Sequence, residues 1–448
     1  MPRAPVRARH ACVCGGPRVT GMPLDYPIHQ HTLANGLRVV VSPDTSVPVV
    51  TVNLWVNVGS RHESPGRTGL AHLFEHLMFQ GSRHVASGEH FSRLMAEGGR
   101  LNATTWFDRT NYFETVPKGA YELALWMEAD RHGHLLDAVT QENLDNQRDV
   151  VKEERRQRYD NVPYGNALIE VYAAAFPADH PYHHPTIGSM DDLGAASLED
   201  VHAFFRRFYG PDNTVLTLVG YLTPEEGFAA AERYFGHLPA TGQEQRPRLA
   251  QLDPIPEPVR VDRPGDVPND RLHIAFRLPV DNTDEFFAAS LALDALAGLG
   301  TSRLTQRLVR REQVANAVQG HALGLVDGVS LGFVVVDVAD GEDPDVLEAA
   351  VVEELERFAA EGPTEVEMES AMAQSERSWL HALASQEERA DLISQHVLLH
   401  DDPQFVNTFL DRLRAVRPEQ VRVAAAHWLR PDHRAVVAHL ARREQDAA

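Results

Sequence analysis

Hydrophobic residues recur at helical spacing in the stretch from Gly66 to Ser82. The apolar positions follow the order i, i+3, i+4, i+7 and are Leu70, Leu73, Phe74 and Leu77. Thr68 stands where an N-cap residue starts a helix, and Gly81 stands where a left-handed residue ends one. The stretch therefore predicts an amphipathic helix with one face turned to a core.

Other segments show either helical or strand periodicity. Val49 to Val58 alternates as a strand, and Leu101 to Val116 predicts two strands joined by a turn at Asp108-Arg109. The remaining predicted elements are a hairpin around Asn35-Gly36, helices over 86–97, 119–136, 141–159 and 197–208, and a strand over 214–219. This mixture predicts an α+β fold built as an α/β sandwich, in which a mostly antiparallel sheet is flanked by helices.

The second half of the chain repeats the pattern of the first. Gln80-Gly-Ser82 and Gly300-Thr-Ser302 lie 220 positions apart, and so do Pro211-Asp212 and Pro431-Asp432. One offset shared by two distant segments predicts two tandem homologous domains. The predicted organisation is a disordered tail over 1–23, a first domain over 24–238, a linker over 239–258, a second domain over 259–442 and a tail over 443–448.

Composition narrows the class of protein. The 448 residues carry a formal net charge of −22, which argues against a nucleic acid partner. No apolar run approaches the roughly 18 residues of a membrane helix, and residues 1–21 lack the apolar core of a signal peptide. We therefore expect a cytoplasmic protein without a membrane partner, with Met22 as an alternative start to Met1. Because both cysteines, Cys12 and Cys14, lie in the tail, a metal in the folded body must use histidine and carboxylate ligands.

Two histidines lie one turn apart on the polar side of the predicted helix, namely His72 and His76, with Glu75 between them. An imidazole pair at i, i+4 can hold one metal ion from a single helix, and the adjacent carboxylate can take a proton from water at the metal. The order His-x-x-Glu-His is the inverted form of the commoner zinc peptidase motif. The alternative is an amphipathic helix that carries two histidines by chance.

The second repeat lacks this chemistry. At the offset of 220, the positions of His72, Glu75 and His76 are taken by Ala292, Ala295 and Leu296. We therefore predict that the first domain is catalytic and binds zinc, and that the second is structural. Two histidines leave a zinc ion short of one protein ligand. The candidates, between which the pattern does not choose, are a carboxylate or one of His62, His84, His90, His180, His183 and His184.

Three motifs together resemble the pitrilysin/insulinase family of zinc metallopeptidases, most closely its short members related to mitochondrial processing peptidase. They are His72-Leu-Phe-Glu-His76, the segment NATTWFDRTNYF that begins at Asn102, and the segment RDVVKEERRQRYDNVPYG that begins at Arg148. The resemblance runs from the Asn-Gly hairpin to the last predicted strand. It implies one Zn²⁺ per chain and a fold that forms half of a clamshell chamber of four repeats.

In that family the third metal ligand is a glutamate of a downstream helix, which the resemblance places at Glu154 within Arg148-Asp-Val-Val-Lys-Glu-Glu154. Spacing alone leaves Glu153 open, and without the motif an ordinary solvated charge run is the simpler explanation. Gln147 stands where family members usually carry a second glutamate, which is a departure from the pattern. An amide at this position can still hydrogen-bond to a ligand.

The resemblance also implies substrate contacts. Asn102 and Ala103 match the family's edge strand near the zinc, on which the substrate backbone pairs as an added strand. The alternative is a plain buried strand. Phe79 and Trp106 are candidates for a side-chain pocket, although aromatic residues beside a core helix also serve as packing. The loop from His180 to His184 matches a family loop, to which we assign a structural role without metal.

These expectations combine into one function. We expect a zinc-dependent metalloendopeptidase that hydrolyses peptides or unfolded protein segments, with Glu75 as the base that activates water. One rival is a non-catalytic scaffold subunit of a processing-peptidase-like complex, against which the complete His72, Glu75 and His76 set argues. The other is an enzyme dedicated to presequence removal.

The expected partners follow from the same resemblance. Two repeats make half of the four-repeat chamber, so we expect a dimer. The family's second half often supplies an arginine and a tyrosine that bind substrate, but the matching positions here hold Val309 and Asn316. Arg310 offers an arginine only after a shift of one residue. A heterodimer with a related chain that supplies Arg and Tyr would complete one site, and a homodimer that works without them is the alternative.

Overall fold

The computed structural model describes residues 23–242 and 248–442. The predicted tails, apart from residue 23, lie outside these ranges together with Cys12, Cys14, Met22 and residues 243–247 of the predicted linker. In the described ranges, no helix combines the length and the apolar character that crossing a membrane requires.

The first half of the chain forms a six-stranded sheet with the order β1-β2-β6-β3-β5-β4. Its strands are β1 (His29–Thr32), β2 (Arg38–Pro43), β3 (Val49–Val56), β4 (Arg100–Thr105), β5 (Thr110–Pro117) and β6 (Thr214–Gly220). The pair β2 and β6 is parallel, whereas the other neighbours are antiparallel. This confirms the predicted, mostly antiparallel sheet and leaves β4 at its edge.

Eight α-helices accompany this sheet in the described residues. They are α1 (Leu70–Leu77), α2 (Glu89–Ala96), α3 (Tyr121–His134), α4 (Gln141–Arg155), α5 (Ala167–Ala175), α6 (Met190–Ala195), α7 (Leu198–Phe208) and α8 (Pro224–Phe235). Helices α3 and α8 pack on one face of the sheet. A separate apolar cluster joins α1, α4 and α7, so that α1 is held between two helices and the β4–β5 hairpin.

The second half forms a five-stranded sheet with the order β7-β11-β8-β10-β9. Its strands are β7 (Val259–Gly265), β8 (Arg271–Leu278), β9 (Ala315–Leu323), β10 (Ser330–Val338) and β11 (Arg434–Ala441). Its helices are α9 (Asp284–Leu293), α10 (Pro344–Glu361), α11 (Glu365–Ala384), α12 (Gln386–His400), α13 (Phe405–Ala415) and α14 (Pro418–Trp428).

The two sheets are copies of one arrangement. Without β1, the order of the first sheet matches that of the second strand for strand, including one parallel pair in each. Strands β6 and β11 begin at 214 and 434, and helices α7 and α14 begin at 198 and 418, which is the predicted offset. Ala292, Ala295 and Leu296 are buried in the second core. The α+β fold with two tandem homologous domains is confirmed.

Each sheet is covered on one face by a helix from the other repeat. Helix α5 of the first half packs on the second sheet, where Val171 lies in one apolar cluster with Val437. Helix α12 of the second half packs on the first sheet, where Ile393 lies in one cluster with Val219. The two helices hold equivalent places in the repeats, since α5 begins at 167 and α12 at 386, within one residue of the offset of 220. The repeats therefore exchange one layer.

One buried arginine joins equivalent turns of the two repeats. Arg61 lies 3.0 Å from Asp108 in the β4–β5 turn and 3.4 Å from Asp327 in the β9–β10 turn. The Tyr182 hydroxyl donates to Asp108 at 2.6 Å and accepts from the backbone N–H of Asp327 at 2.9 Å. The loop from His180 to His184 thus contributes to the contact between the domains.

Candidate metal centre

Helix α1 carries the candidate metal ligands on one face and a core contact on the other. Leu70, Leu73, Phe74 and Leu77 are buried, as the pattern predicts. His72 and His76 project from the opposite side, and their rings stand nearly perpendicular with centroids 4.8 Å apart. The helix ends at Leu77 and is therefore shorter than predicted. Gly81 nevertheless has the expected positive φ, with a value of 107°.

The start of α1 differs from the prediction. The residue before the helix is Gly69, with a φ of 85°, and the Thr68 hydroxyl instead donates to Asp192 at 2.6 Å. The free N–H groups of Gly69 and Ala71 are bound by the Glu63 carboxylate at 2.9 and 2.7 Å. Burial raises the pKa of Glu63 to about 8, and the two backbone hydrogen bonds oppose this shift. A side chain outside the helix therefore caps it, which spacing could not show.

Glu154 of α4 closes the cluster. Its Oε2 lies 3.6 Å from Nε2 of His72 and 3.4 Å from Nε2 of His76. Ligand atoms at about 2.1 Å from a tetrahedral zinc ion stand about 3.4 Å from one another, so the three side chains fit this metal. In the described ranges, this is the single group of three or more His, Cys, Asp or Glu side chains that could hold an ion.

The structure distinguishes the two adjacent glutamates. The Glu153 side chain is half-exposed and pairs with Arg156 at 2.7 Å, away from the histidines. Glu154 is turned inward, and its second oxygen, Oε1, forms an ion pair with Arg158 at 2.7 Å. Arg158 was not found from the sequence, although its i+4 spacing from Glu154 is a usable signal.

None of the other histidines considered as a third ligand joins the cluster. His84 pairs with Asp130 at 2.6 Å, and buried His90 contacts the Met127 carbonyl at 3.3 Å. His184 lies 3.7 Å from Glu63 at the start of α1. Gln147, which stands where the family pattern has a second glutamate, is buried on α4.

The charge states of the donors suit a divalent cation. Burial lowers the pKa of His72 to about 4, and the neighbouring His76 adds to this effect. Burial raises the pKa of Glu154, but the hydrogen bond with His76 and the charges of His72 and Arg158 outweigh it and leave the pKa below its usual value. Near neutral pH, His72 is therefore a neutral imidazole and Glu154 an ionised carboxylate, which are the forms that bind metal.

Glu75 lies beside the cluster without joining it. Its Oε2 accepts from the Thr105 hydroxyl of β4 at 2.5 Å, and this contact was not found from the sequence. Burial raises the pKa of Glu75, whereas the Thr105 hydrogen bond and the charges of His76 and Arg109 oppose the rise. A carboxylate with a raised pKa is a suitable proton acceptor near neutral pH.

Asn102 and Ala103 lie on the edge strand β4, as predicted. The Ala103 side chain packs in the cluster that contains α1, and its backbone N–H donates to Oδ1 of Asn102 at 3.0 Å. Strand β5 occupies one side of β4, and the described residues form no strand on the other. An extended peptide can therefore add to this edge beside the histidines.

Phe79 and Trp106 have different surroundings, and Phe79 does not line the cavity at Trp106. Phe79 follows His76 at i+3 and packs against Phe91 of α2, with centroids 4.8 Å apart and the ring planes tilted by 32°. Trp106 lies in the β4–β5 turn and lines a cavity of about 530 Å³ with Arg109 and Asp391. Phe91 was not predicted as a residue near the site. The feature that could have indicated it is an aromatic side chain on the exposed face of a short amphipathic helix.

Comparisons with known proteins agree with this architecture. The family model described as "Insulinase (Peptidase family M16)" matches residues 38–189, and the model described as "Peptidase M16 inactive domain" matches residues 195–375. The chain therefore belongs to the insulinase family of peptidases.

Relatives and solved structures extend the match to most of the chain. The zinc protease PqqE of Helicobacter pylori is 28% identical over 387 residues, which is 84% of each chain. A probable mitochondrial-processing peptidase subunit beta of Schizosaccharomyces pombe is 26% identical over 379 residues, covering 82% of this chain and 81% of that one.

Two crystal structures share the fold. A protease from Helicobacter pylori has a TM-score of 0.86 with 24% identity and covers 93% of this chain and 99% of its own. A peptidase M16 inactive domain from Pseudomonas fluorescens has a TM-score of 0.81 with 17% identity and covers 93% and 98%. At these identities the likeness shows the fold alone.

Proposed function

We propose that this chain is a zinc-dependent metalloendopeptidase that hydrolyses peptides or unfolded protein segments. The observation that carries the proposal is the convergence of His72, His76 and Glu154, with ligand atoms within 4.8 Å of one another. The membership in a peptidase family and the zinc protease relatives support it. We propose one zinc ion per chain, which is supported by the one such cluster that the described residues form.

When bound, zinc supplies Lewis acidity toward a water molecule and the peptide carbonyl. His72 and His76 would hold it through their imidazole nitrogens, and the ionised Glu154 would offset part of its charge. Glu75 takes a proton from the attacking water and delivers it to the leaving amine. The Thr105 hydroxyl binds Oε2 of Glu75 and so leaves Oε1 for this proton.

The substrate backbone is proposed to pair with β4. In the free chain, the Ala103 N–H is satisfied by the side chain of Asn102. A peptide carbonyl can replace that acceptor, which frees the Asn102 amide to hydrogen-bond to the substrate in turn. This exchange orients an extended peptide across the residues of α1.

The test compares the purified chain with Glu75→Gln on an unstructured peptide. Glu75→Gln keeps the three ligands, so we expect full zinc content with turnover lower by a factor on the order of 100 or more. Substantial turnover by zinc-loaded Glu75→Gln would show that Glu75 is not the base.

The ligand set is tested by metal analysis. We expect His72→Ala and Glu154→Gln to reduce zinc well below one per chain. Glu153→Gln is the matched control and should keep its zinc, because Glu153 faces Arg156. Zinc loss in Glu153→Gln with retention in Glu154→Gln would contradict the assignment.

The second candidate function is a non-catalytic scaffold subunit. It is favoured by the fold similarity to a structure named an inactive domain. A scaffold has no need for two histidines and a glutamate that converge at zinc spacing. Zinc-free protein without turnover of any peptide would favour the scaffold. The sequences of the cleaved peptides distinguish general degradation from presequence removal.

We also propose that the chain acts as a dimer, and that a related chain supplies the missing arginine and tyrosine. Val309 is half-buried against the second core, and Asn316 donates to the Val338 carbonyl, so neither replaces those groups. The processing peptidase relative is itself named as a subunit. The test is the mass in solution and the activity of the chain alone. High activity from a homodimer would overturn the need for a second chain.

A further inference from the structure

A buried cation lies beneath Phe79. Arg131 of α3 is 1% exposed, and its guanidinium carbon lies 4.7 Å from the Phe79 ring centroid and 4.5 Å from that of Tyr112. A guanidinium in the interior is costly unless it is paired and well placed. Two aromatic rings at this distance indicate that stacking is part of its placement.

The charge of Arg131 is matched locally. Its guanidinium donates from Nε to Glu128 Oε2 at 2.9 Å, and from Nη2 to Glu128 Oε1. Glu114 is buried beside Glu128, and burial together with the Glu128 charge raises the pKa of Glu114 well above its usual value. Burial raises the pKa of Glu128 as well, but the charge and the hydrogen bond of Arg131 oppose that rise, so Glu128 is the acid that pairs with the cation.

The same helix also holds the segment that follows Phe79. Asp130 accepts from the Ser82 hydroxyl at 2.6 Å and from the His84 backbone N–H at 3.0 Å. Two consecutive residues of α3 thus fix both ends of a short segment that leaves α1. This segment carries a ring next to the metal residues, since Phe79 follows His72 at i+7 and His76 at i+3.

The outer side of the Phe79 ring meets Phe91, which is 38% exposed. Phe79 therefore lies between a buried cation and an accessible aromatic ring. Because it has no polar group of its own, its position depends on such packing contacts, which also include the rings of His90 and Tyr112 at 6.3 Å between centroids.

We infer that Arg131 is a positioning residue that, through Phe79, sets the preference of the site for a large apolar side chain beside the cleaved bond. This inference rests on the proposed peptidase function. Without the Arg131 guanidinium, the Phe79 ring can move inward into the space that the guanidinium occupied. The surface that Phe79 presents to a substrate side chain then changes shape. Zinc binding and proton transfer use other residues and stay intact.

The test uses peptides that differ only in one residue beside the cleaved bond, either Phe or Ala. The variant is Arg131→Met combined with Glu128→Gln, so that no buried charge is left unpaired. We expect the ratio of kcat/KM for the Phe peptide over the Ala peptide to fall about tenfold, mainly through KM, with zinc content unchanged. Arg131→Lys, which keeps the charge but not the planar stack, should lower the ratio less and serves if the double variant does not fold.

The matched control lies in the second repeat. Arg303 stands 4.7 Å from the ring centroid of Phe358 and is bound by Glu367. Arg303→Met with Glu367→Gln removes the same kind of contact away from the metal centre, and we expect the ratio to stay unchanged.

Coupling to Phe79 is tested directly. In a Phe79→Leu background, the Arg131 substitutions should change the ratio no further. An unchanged ratio in a folded, zinc-loaded Arg131 variant, or the same change with and without Phe79, would overturn this inference alone. Absence of turnover by the zinc-loaded wild type would overturn the proposed function as well.

Discussion

The Glu63 carboxylate binds the backbone N–H of Ala71 at 2.7 Å, one residue before the candidate ligand His72. The Glu63 side chain is completely buried, and it binds the N–H of Gly69 as well. The helix that carries the metal ligands is therefore positioned at its start by a residue outside it.

Removal of this cap should destabilise the chain. Glu63→Ala leaves two buried N–H groups without an acceptor, and we expect a loss of about 2–3 kcal/mol of unfolding free energy. Urea denaturation measures it, with the exposed neighbour Ser64→Ala as control. A loss no larger than that of Ser64→Ala would show that the cap is dispensable.

The same carboxylate gives a pH dependence of stability. The folded chain keeps the Glu63 proton up to a pKa of about 8, whereas the unfolded chain releases it near 4.5. Between these values the folded state binds more protons, so this group lowers the stability as the pH rises. We expect Glu63→Gln, which cannot ionise, to show a shallower fall than the wild type in urea denaturation of metal-free protein at pH 5, 6.5 and 8. Equal slopes would contradict the raised pKa.

Arg158 should tune the metal affinity. It binds Oε1 of Glu154 at 2.7 Å with its own side chain 74% exposed, so Arg158→Gln should fold normally. Since groups that orient a ligand usually change affinity 10- to 100-fold, we expect zinc to bind about tenfold more weakly in a chelator competition. The matched control is Arg156→Gln, because Arg156 pairs with Glu153 at the same distance. Equal affinities in both variants would exclude a role for Arg158.

The junction between the repeats should depend on Tyr182. Tyr182→Phe removes a buried hydroxyl that joins Asp108 to the Asp327 backbone, and we expect a loss of about 2 kcal/mol in unfolding free energy. Thermal unfolding of Tyr182→Phe and of Tyr221→Phe, a control at an exposed tyrosine, measures the difference. Similar melting temperatures would show that the hydroxyl contributes little.

Features that depend on local periodicity were predicted from the sequence. The apolar face of α1, the β4–β5 hairpin and the offset of 220 all rest on spacing along the chain, and the structure confirms them. Glu154 was reached through a motif, and the structure brings it to His72 and His76.

Features that depend on contacts between distant segments were not predicted. The cap from Glu63 replaces the expected Thr68 because a loop returns to the helix start, and spacing carries no sign of this. The stack of Arg131 on Phe79 joins helix α3 to the segment that follows α1. An apolar helix such as α5 also does not reveal which sheet it covers.

The exchange of α5 and α12 between the repeats has a consequence for the history and folding of the chain. If the chain arose from two copies of one ancestral repeat, each copy would have placed this helix on the sheet of the other. The present chain therefore corresponds to an intertwined dimer whose two copies are joined by one connection. Neither half, cut at that connection, holds every layer of its own core. We therefore expect both halves of the intact chain to unfold in one cooperative transition. After a cut at the connection, we expect the separated halves to regain the fold only when both are present.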